Sequence, residues 1–278
     1  MKLEKIWAVY FSGTGTTRRT VERIAGGIAS RLNLPAESVD FSRPAVRQET
    51  LRFGEKNLVV FGTPVYAGRV PNVLLPFLRE RIVGGGALAV PVVLFGNRNY
   101  DDALIELRNI LAADGMHPIA AGAFVGEHSF SRVLGADRPN AEDEALMDEF
   151  AARVAALAAG LDAAPVKSVA VRGQEPLRPY YTPRDRAGNP INILKVKPKT
   201  DLSRCGGCGL CADLCPMGSI DPADVSAVRG ICIKCCACVK GCPTGAKFFD
   251  DAGYLYHQHE LEAQYARPAE NEVFYIQL

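Results

Sequence analysis

The chain has 278 residues, 48% hydrophobic and 23% charged, with a formal net charge of +1; this is the composition of a globular protein of one large or two ordinary domains. A charge so near zero leaves no electrostatic footprint for nucleic acid or an anionic membrane, and no apolar run reaches the roughly 20 residues of a bilayer span. All nine cysteines fall between Cys205 and Cys242, an odd number in a chain too large to need stapling, which favours bound metal over a secreted disulfide framework.

The first stretch, MKLEKIWAVYFSG, carries charges at Lys2, Glu4 and Lys5 before a short apolar run. It lacks the long apolar core and cleavage site of a signal peptide. It reads as a buried strand over 6–11, and a cytoplasmic location is expected. Thr16 to Leu32 then places Val21, Ile24, Ala25, Ile28 and Leu32 on one helical face. A weaker strand follows near 38–42, and a buried run at 57–62. PNVLLPFLRE starts a helix with Pro71 near its first turn. A strand at 87–96 leads to a helical pattern through Leu104, Leu107, Ile110 and Leu111. A further strand at 118–126 precedes a helix over 142–161, with Leu146, Phe150, Val154 and Leu157 inward. Five strands alternating with helices predict an α/β domain over 1–165, a parallel sheet covered on both faces. Ligands of such sheets bind at the carboxyl ends of the strands.

Residues 166–200 are rich in Pro, Gly and basic residues without periodicity, and predict an extended linker. It is either a plain tether or a basic face for an acidic partner. The cysteines occupy 201–252. The tail, 253–278, is expected to pack on the domains as a helix and a strand.

The first strand runs into Ser12-Gly13-Thr14-Gly15-Thr16-Thr17 and then a helix. Hydroxyls, glycines and the free amides of a helix N-terminus make an anion cradle. No Lys follows, so it is not a Walker loop, and it lacks GxGxxG; a lysine-free hydroxyl loop suits one monophosphate. SGTGTT in this place resembles the FMN-phosphate loop of flavodoxins. Two more strand ends carry the likeness: Thr63-Pro64-Val65-Tyr66-Ala67-Gly68-Arg69, and Gly96-Asn97-Arg98-Asn99-Tyr100-Asp101. In flavodoxin-like domains these loops hold the isoalloxazine ring. The resemblance therefore implies FMN held by Ser12, Gly13, Thr14, Gly15, Thr16, Thr17, Pro64, Val65, Tyr66, Ala67, Gly68, Gly96, Asn97, Tyr100 and Asp101. Tyr66 and Tyr100 are the stacking candidates, and Gly68 could turn a carbonyl toward the ring. Arg69 and Glu127-His128-Ser129 lie on the same edge with a weaker signal.

The cysteines form two runs, Cys205-x2-Cys208-x2-Cys211-x3-Cys215-Pro216 and Cys232-x2-Cys235-x2-Cys238-x3-Cys242-Pro243, each member 27 residues after its counterpart (205 to 232, 215 to 242). So regular a repeat means two half-sites, hence two metal centres. Structural zinc prefers paired CxxC knuckles set further apart. The spacing resembles two-cluster bacterial ferredoxins, where the fourth cysteine of each run ligates the other [4Fe–4S] cluster. That resemblance implies cluster one on Cys205, Cys208, Cys211 and Cys242, and cluster two on Cys232, Cys235, Cys238 and Cys215. Ile220, Val225, Ile231 and Ile233 are expected to pack around them. Cys236 lies outside the register, opposite Gly209, and reads as a small filler.

Taken together, a flavodoxin-like five-stranded sheet followed by a smaller α+β two-cluster domain resembles the fused flavodoxin–ferredoxin proteins of anaerobic prokaryotes. The family implies electron transfer between FMN and two [4Fe–4S] clusters, with redox partner proteins as donor and acceptor and a homodimer left open. The alternative is an oxidoreductase in which a small substrate or NAD(P)H reaches the flavin. The carrier is preferred because no dinucleotide fingerprint occurs and no triad-like pattern involves the four histidines. TPVYAGRVP departs from the Trp and acidic residues of many short flavodoxins, so their potentials and partners do not transfer.

Overall fold

The structure is a computed structural model and describes residues 1–277. Five parallel strands lie side by side: β1 (Lys5–Tyr10), β2 (Ala36–Asp40), β3 (Asn57–Pro64), β4 (Leu88–Phe95) and β5 (Ala120–Val125). Their order is β2-β1-β3-β4-β5, with a sixth strand, β6 (Glu272–Tyr275), added antiparallel to β5. β4 is buried over its whole length because both faces are covered. Helices α1 (Thr16–Leu32) and α4 (Ala141–Ala159) cover one face; α2 (Leu75–Glu80) and α3 (Ala103–Ala113) cover the other. The two helices of the first face pack closely: a Cβ on Gly27 of α1 would stand 2.9 Å from the Ala151 Cβ of α4. A capping box between Asn140 and Asp143 starts α4.

The doubly wound order with its reversal between β1 and β3 is the flavodoxin-like one. It brings the loops after β1, β3, β4 and β5 to one edge. The tail, expected to pack on the domains as a helix and a strand, supplies that strand as β6, antiparallel to β5 at the sheet edge.

Residues 160–198 contain no regular element apart from a bridge between Arg184 and Pro190, yet they are anchored. Asp102 at the start of α3 accepts from the Gln174 amide (3.0 Å) and from the Arg178 amide (2.7 Å) and guanidinium. Tyr180 donates to the Val70 carbonyl at 2.8 Å. Three of its basic residues pair with carboxylates elsewhere in the chain: Arg172 with Glu272, Arg178 with Asp102 and Arg186 with Glu260. The connector is therefore a docked strap. Beyond it, the cysteine region holds two short helices, α5 (Leu210–Asp213) and α6 (Ala237–Lys240), and a two-stranded pair of Lys199–Thr200 with Lys247–Phe248. Helix α7 (Ala252–Gln264) then leads to β6.

Candidate functional site

The loop after β1 turns at Gly15, whose φ of +90° only a glycine adopts cheaply. Helix α1 begins at Thr16. The amides of Gly13, Thr14, Gly15, Thr16 and Thr17 have no acceptor among the described residues. Five free donors at a helix N-terminus are a cradle for an anion. The Ser12 amide donates instead to the Ser42 hydroxyl at 2.7 Å, and the Ser12 hydroxyl accepts from the Arg18 amide at 3.2 Å, which fixes the loop. This donor set fits the monophosphate of FMN.

After β3, Tyr66 and Arg69 exchange both backbone hydrogen bonds (3.0 and 3.1 Å) around Ala67 and Gly68, at φ +52° and +77°. Two central residues with positive φ make a type I′ turn. The turn commits its carbonyls: that of Ala67 accepts from the Tyr181 amide at 2.9 Å, that of Gly68 from Asp102 at 3.0 Å. The Gly68 carbonyl is thus not turned toward the ligand edge as the sequence reading had it. Tyr66 does face that edge. With Gly13, Thr14, Thr16, Thr17, Pro64, Val65, Gly96, His128 and Cys235 it lines a cavity of about 70 Å³. Burial, and then the sulfurs of Cys235, Cys236 and Cys232, push its phenol well above the ordinary value.

In the loop after β4, the side chains of three residues expected at the flavin are engaged elsewhere. Tyr100 is fully buried, packs on Phe95 (5.5 Å) and donates to Glu272 of β6 at 2.7 Å; the chain reverses before it, so its ring enters the core. Asn97 is 4% exposed and holds the tail, donating to the carbonyls of Tyr265 (2.6 Å) and Arg267 (2.9 Å). Asp101 pairs with Arg98 and crowds Gly68. Gly96, Arg98 and Asn99 of the same loop do reach the ligand edge. Arg69 is structural, bonded to the buried Glu106 at 2.7 Å. His128 packs on Gly96, where a Cβ would meet its ring at 2.4 Å. Its Nδ1 accepts from the Phe130 amide (3.1 Å), and burial, then the charge of Lys240, lowers its pKa to about 3. It is a neutral imidazole with the proton on Nε2.

The nine cysteines are all free thiols. Cys205, Cys208, Cys211 and Cys242 line one cavity of about 90 Å³ with Val225 and Lys247. Cys215, Cys232, Cys235 and Cys238 line a tighter one of about 20 Å³, with Cys236, Ile220, Ile231 and Ile233. The crossed sets foreseen from the repeat are those that share a cavity. The hydrophobic shell is present too, although Ile231 keeps 64% of its surface open. Among the described residues no three His, Cys, Asp or Glu side chains stand close enough to hold a single ion. Eight sulfurs around two spaces are a donor set for iron–sulfur clusters.

The repeat extends to the backbone. Gly207 and Lys234 have φ of +68° and +55°, Gly209 and Cys236 +73° and +58°, Gly218 and Gly245 +58° and +64°. The Ser219 amide donates to the Cys215 sulfur at 3.3 Å, and its counterpart Ala246 to Cys242 at 3.2 Å. Two buried lysines were not singled out from the sequence, because nothing in their spacing marks them. Lys234 donates to the carbonyls of Leu194 (2.7 Å) and Cys232 (2.9 Å), and Lys247 to that of Val225. Each sets an ammonium group beside cysteine sulfurs, Lys234 near Cys232 and Lys247 near Cys211.

The two halves meet at the phosphate loop. A Cβ on Gly13 would stand 3.0 Å from the Cys235 Cβ and 3.6 Å from the Tyr66 hydroxyl. Lys240 of α6 donates to the His128 carbonyl at 2.7 Å and pairs with Glu127. Arg47 reaches the carbonyl of Pro216. The second cysteine run therefore sits on the ligand edge of the sheet. The first lies outward, with Cys208 exposed.

Strand order and loop geometry make the N-terminal part a flavodoxin-like domain, and residues 198–221 match the family described as a 4Fe-4S binding domain. The chain thus has the architecture of a fused flavodoxin–ferredoxin protein. No curated protein matches it. Among solved structures, a flavodoxin from the domain Archaea is 17% identical, 55% of this chain covering 97% of that one at a TM-score of 0.41. A flavodoxin of Streptococcus pneumonia TIGR4 is 19% identical, covering 56% and 99% at 0.37. An NADH:FMN oxidoreductase, EmoB, in its apo form is 16% identical, covering 56% and 89% at 0.38. Among the described residues no helix is long and apolar enough to cross a membrane.

Proposed function

We propose that the chain is a cytoplasmic electron-transfer protein that binds FMN and two [4Fe–4S] clusters and passes electrons between them. FMN exchanges electrons singly or in pairs and a cluster exchanges them singly, so the joined set interconverts two-electron and one-electron transfer. The amides of residues 13–17 hold the phosphate, and Tyr66, Gly96 and His128 border the ring. Cys205, Cys208, Cys211 and Cys242 hold the outer cluster; Cys232, Cys235, Cys238 and Cys215 hold the inner one. The observation that carries this reading is the contact of Cys235 with Gly13 and its nearness to Tyr66. One cluster ligand touches the phosphate loop, which leaves no intervening layer of protein between the two cofactor sites.

The outer cluster serves partner proteins, since Cys208 is exposed and Leu210, which lines the same cavity, keeps 38% of its surface open. Analysis of protein purified without oxygen tests the assignment. FMN in a one-to-one ratio, with iron and sulfide for two clusters, is expected. Bound zinc, or flavin without iron, would overturn it.

A further inference from the structure

Three spaces open on the ligand edge of the sheet, and none is walled by the sheet's own loops alone. Across a cleft of about 610 Å³, Ser12 to Thr16 of the phosphate loop face Leu214, Cys215, Pro216, Ala237 and Lys240. Cys235 lines the cavity of about 70 Å³ beside Tyr66. The loops after β3 and β4, assigned above to the flavin ring, face residues 231–234, the strap and α7 across a cavity of about 770 Å³. A flavin held at this edge is therefore walled by the cysteine region as well as by the sheet.

The second cysteine run makes the closest of these approaches. A Cβ on Gly13 would stand 3.0 Å from the Cys235 Cβ, so only a glycine lets the run come so near the phosphate loop. Lys240 donates to the His128 carbonyl at 2.7 Å, pairs with Glu127 and keeps only 14% of its side chain open, which pins the loop after β5. Phe130 of that loop packs on Tyr254 at 4.8 Å, and the Tyr254 hydroxyl lies 3.3 Å from the Cys236 sulfur. The outer set has no such reach. Among the described residues, its cavity is lined only by residues between Thr200 and Lys247.

The run has little else to hold its shape. Within residues 231–241 the regular structure is one four-residue helix, α6. Lys234 and Cys236 keep left-handed φ values of +55° and +58°, a backbone that non-glycine residues hold only where their surroundings impose it. Ligation at Cys232, Cys235 and Cys238 is such a constraint, because metal binding and the folding of its ligand loops are linked. We propose that assembly of the inner cluster and binding of FMN are coupled: residues 231–241 close the flavin site only while their cysteines are ligated, and the outer cluster takes no part. Coupling is reciprocal, so bound FMN steadies the inner set in turn. The inference rests on the FMN and cluster assignments above and adds a dependence of one site on the other.

Anaerobic titration of flavin-stripped, cluster-loaded protein with FMN, read by quenching of flavin fluorescence, tests it, with iron measured on the same samples. Lys240→Met leaves every cluster ligand in place; it should keep full iron and bind FMN about tenfold more weakly, the loss of one charge-assisted bond. Cys235→Ala should lose about half the iron and weaken FMN binding by roughly tenfold or more. Cys208→Ala should also lose about half the iron, yet bind FMN within about twofold of the unmodified protein. FMN affinity that stays within about twofold in both Lys240→Met and Cys235→Ala overturns the coupling. So does equal weakening in Cys208→Ala and Cys235→Ala, since the outer set would then act as well. Unmodified protein that holds both clusters but binds no FMN defeats the functional reading instead.

Discussion

Cys236 occupies a left-handed conformation, φ +58°, that its repeat counterpart Gly209 takes without a side chain. For a non-glycine residue that costs about 1–2 kcal/mol. Its sulfur lies 3.3 Å from the Tyr254 hydroxyl and 3.5 Å from the Lys234 carbonyl, and burial pushes the thiol up to about 12. These are the surroundings of a neutral filler between α6 and α7, even though the residue also borders the inner cysteine cavity. Cys236→Ala should keep the full iron content, whereas Cys235→Ala should lose about half. Iron analysis decides it, and loss of iron in the Cys236 variant would show that the repeat is read in the wrong register. Spacing alone made the eight other sulfurs legible, because cluster ligation is written in local sequence. Tyr66 and Tyr100 were not separable that way. Both follow a strand, and only the reversal at Asn97 and the pairing of Tyr100 with Glu272 send one ring outward and the other into the core.

At the scale of elements, the strap depends on one carboxylate. Burial would raise the pKa of Asp102, but the Arg178 guanidinium and the amides of Arg178 and Gln174 outweigh it and hold the carboxyl below its ordinary value. Asp102→Ala removes all of these bonds and is expected to cost about 2–3 kcal/mol. Urea unfolding should register the loss, and limited proteolysis should open the strap between residues 166 and 200. Asp114, which ends α3, is the opposite case. Burial raises its pKa from 3.8 to about 7, one carboxylate oxygen has no partner, and the helix end is itself negative. A carboxyl held above its unfolded value is accepted only when protonated. Its penalty is absent below about pH 4, grows as pH rises and is complete above about 7. Asp114→Asn should therefore stabilise by about 1–2 kcal/mol at pH 8, after allowance for solvent screening, and leave stability at pH 4 unchanged. Equal gains in thermal melts at both pH values would refute it. Four of the five parallel strands were legible from their apolar runs; β2, AESVD, has none and was expected only weakly, near 38–42. A strand in the tail was expected, but its place was not legible, since EVFY could pair with any open edge and only the path of α7 delivers it to β5.

On the scale of the whole molecule, the order of sites runs from the 770 Å³ cavity through the phosphate loop and Tyr66 to the inner cysteine set, and then to the outer set near the surface. The connector and α7 close this arrangement from behind: Tyr254 touches Cys236, and Arg186 of the strap pairs with Glu260 of α7. None of this packing was legible from the chain, because two domains joined by a 35-residue connector could meet in many ways. Under the proposed function, the docked arrangement would join the flavin and cluster sites into one path. Photoreduction of the flavin in the holoprotein by a brief laser flash, followed by the absorbance of the clusters, tests that claim most directly. Cluster absorbance should fall as the flavin reoxidises, at a rate independent of protein concentration. Cluster reduction that speeds up in proportion to concentration, or does not follow the flavin at all, would contradict it.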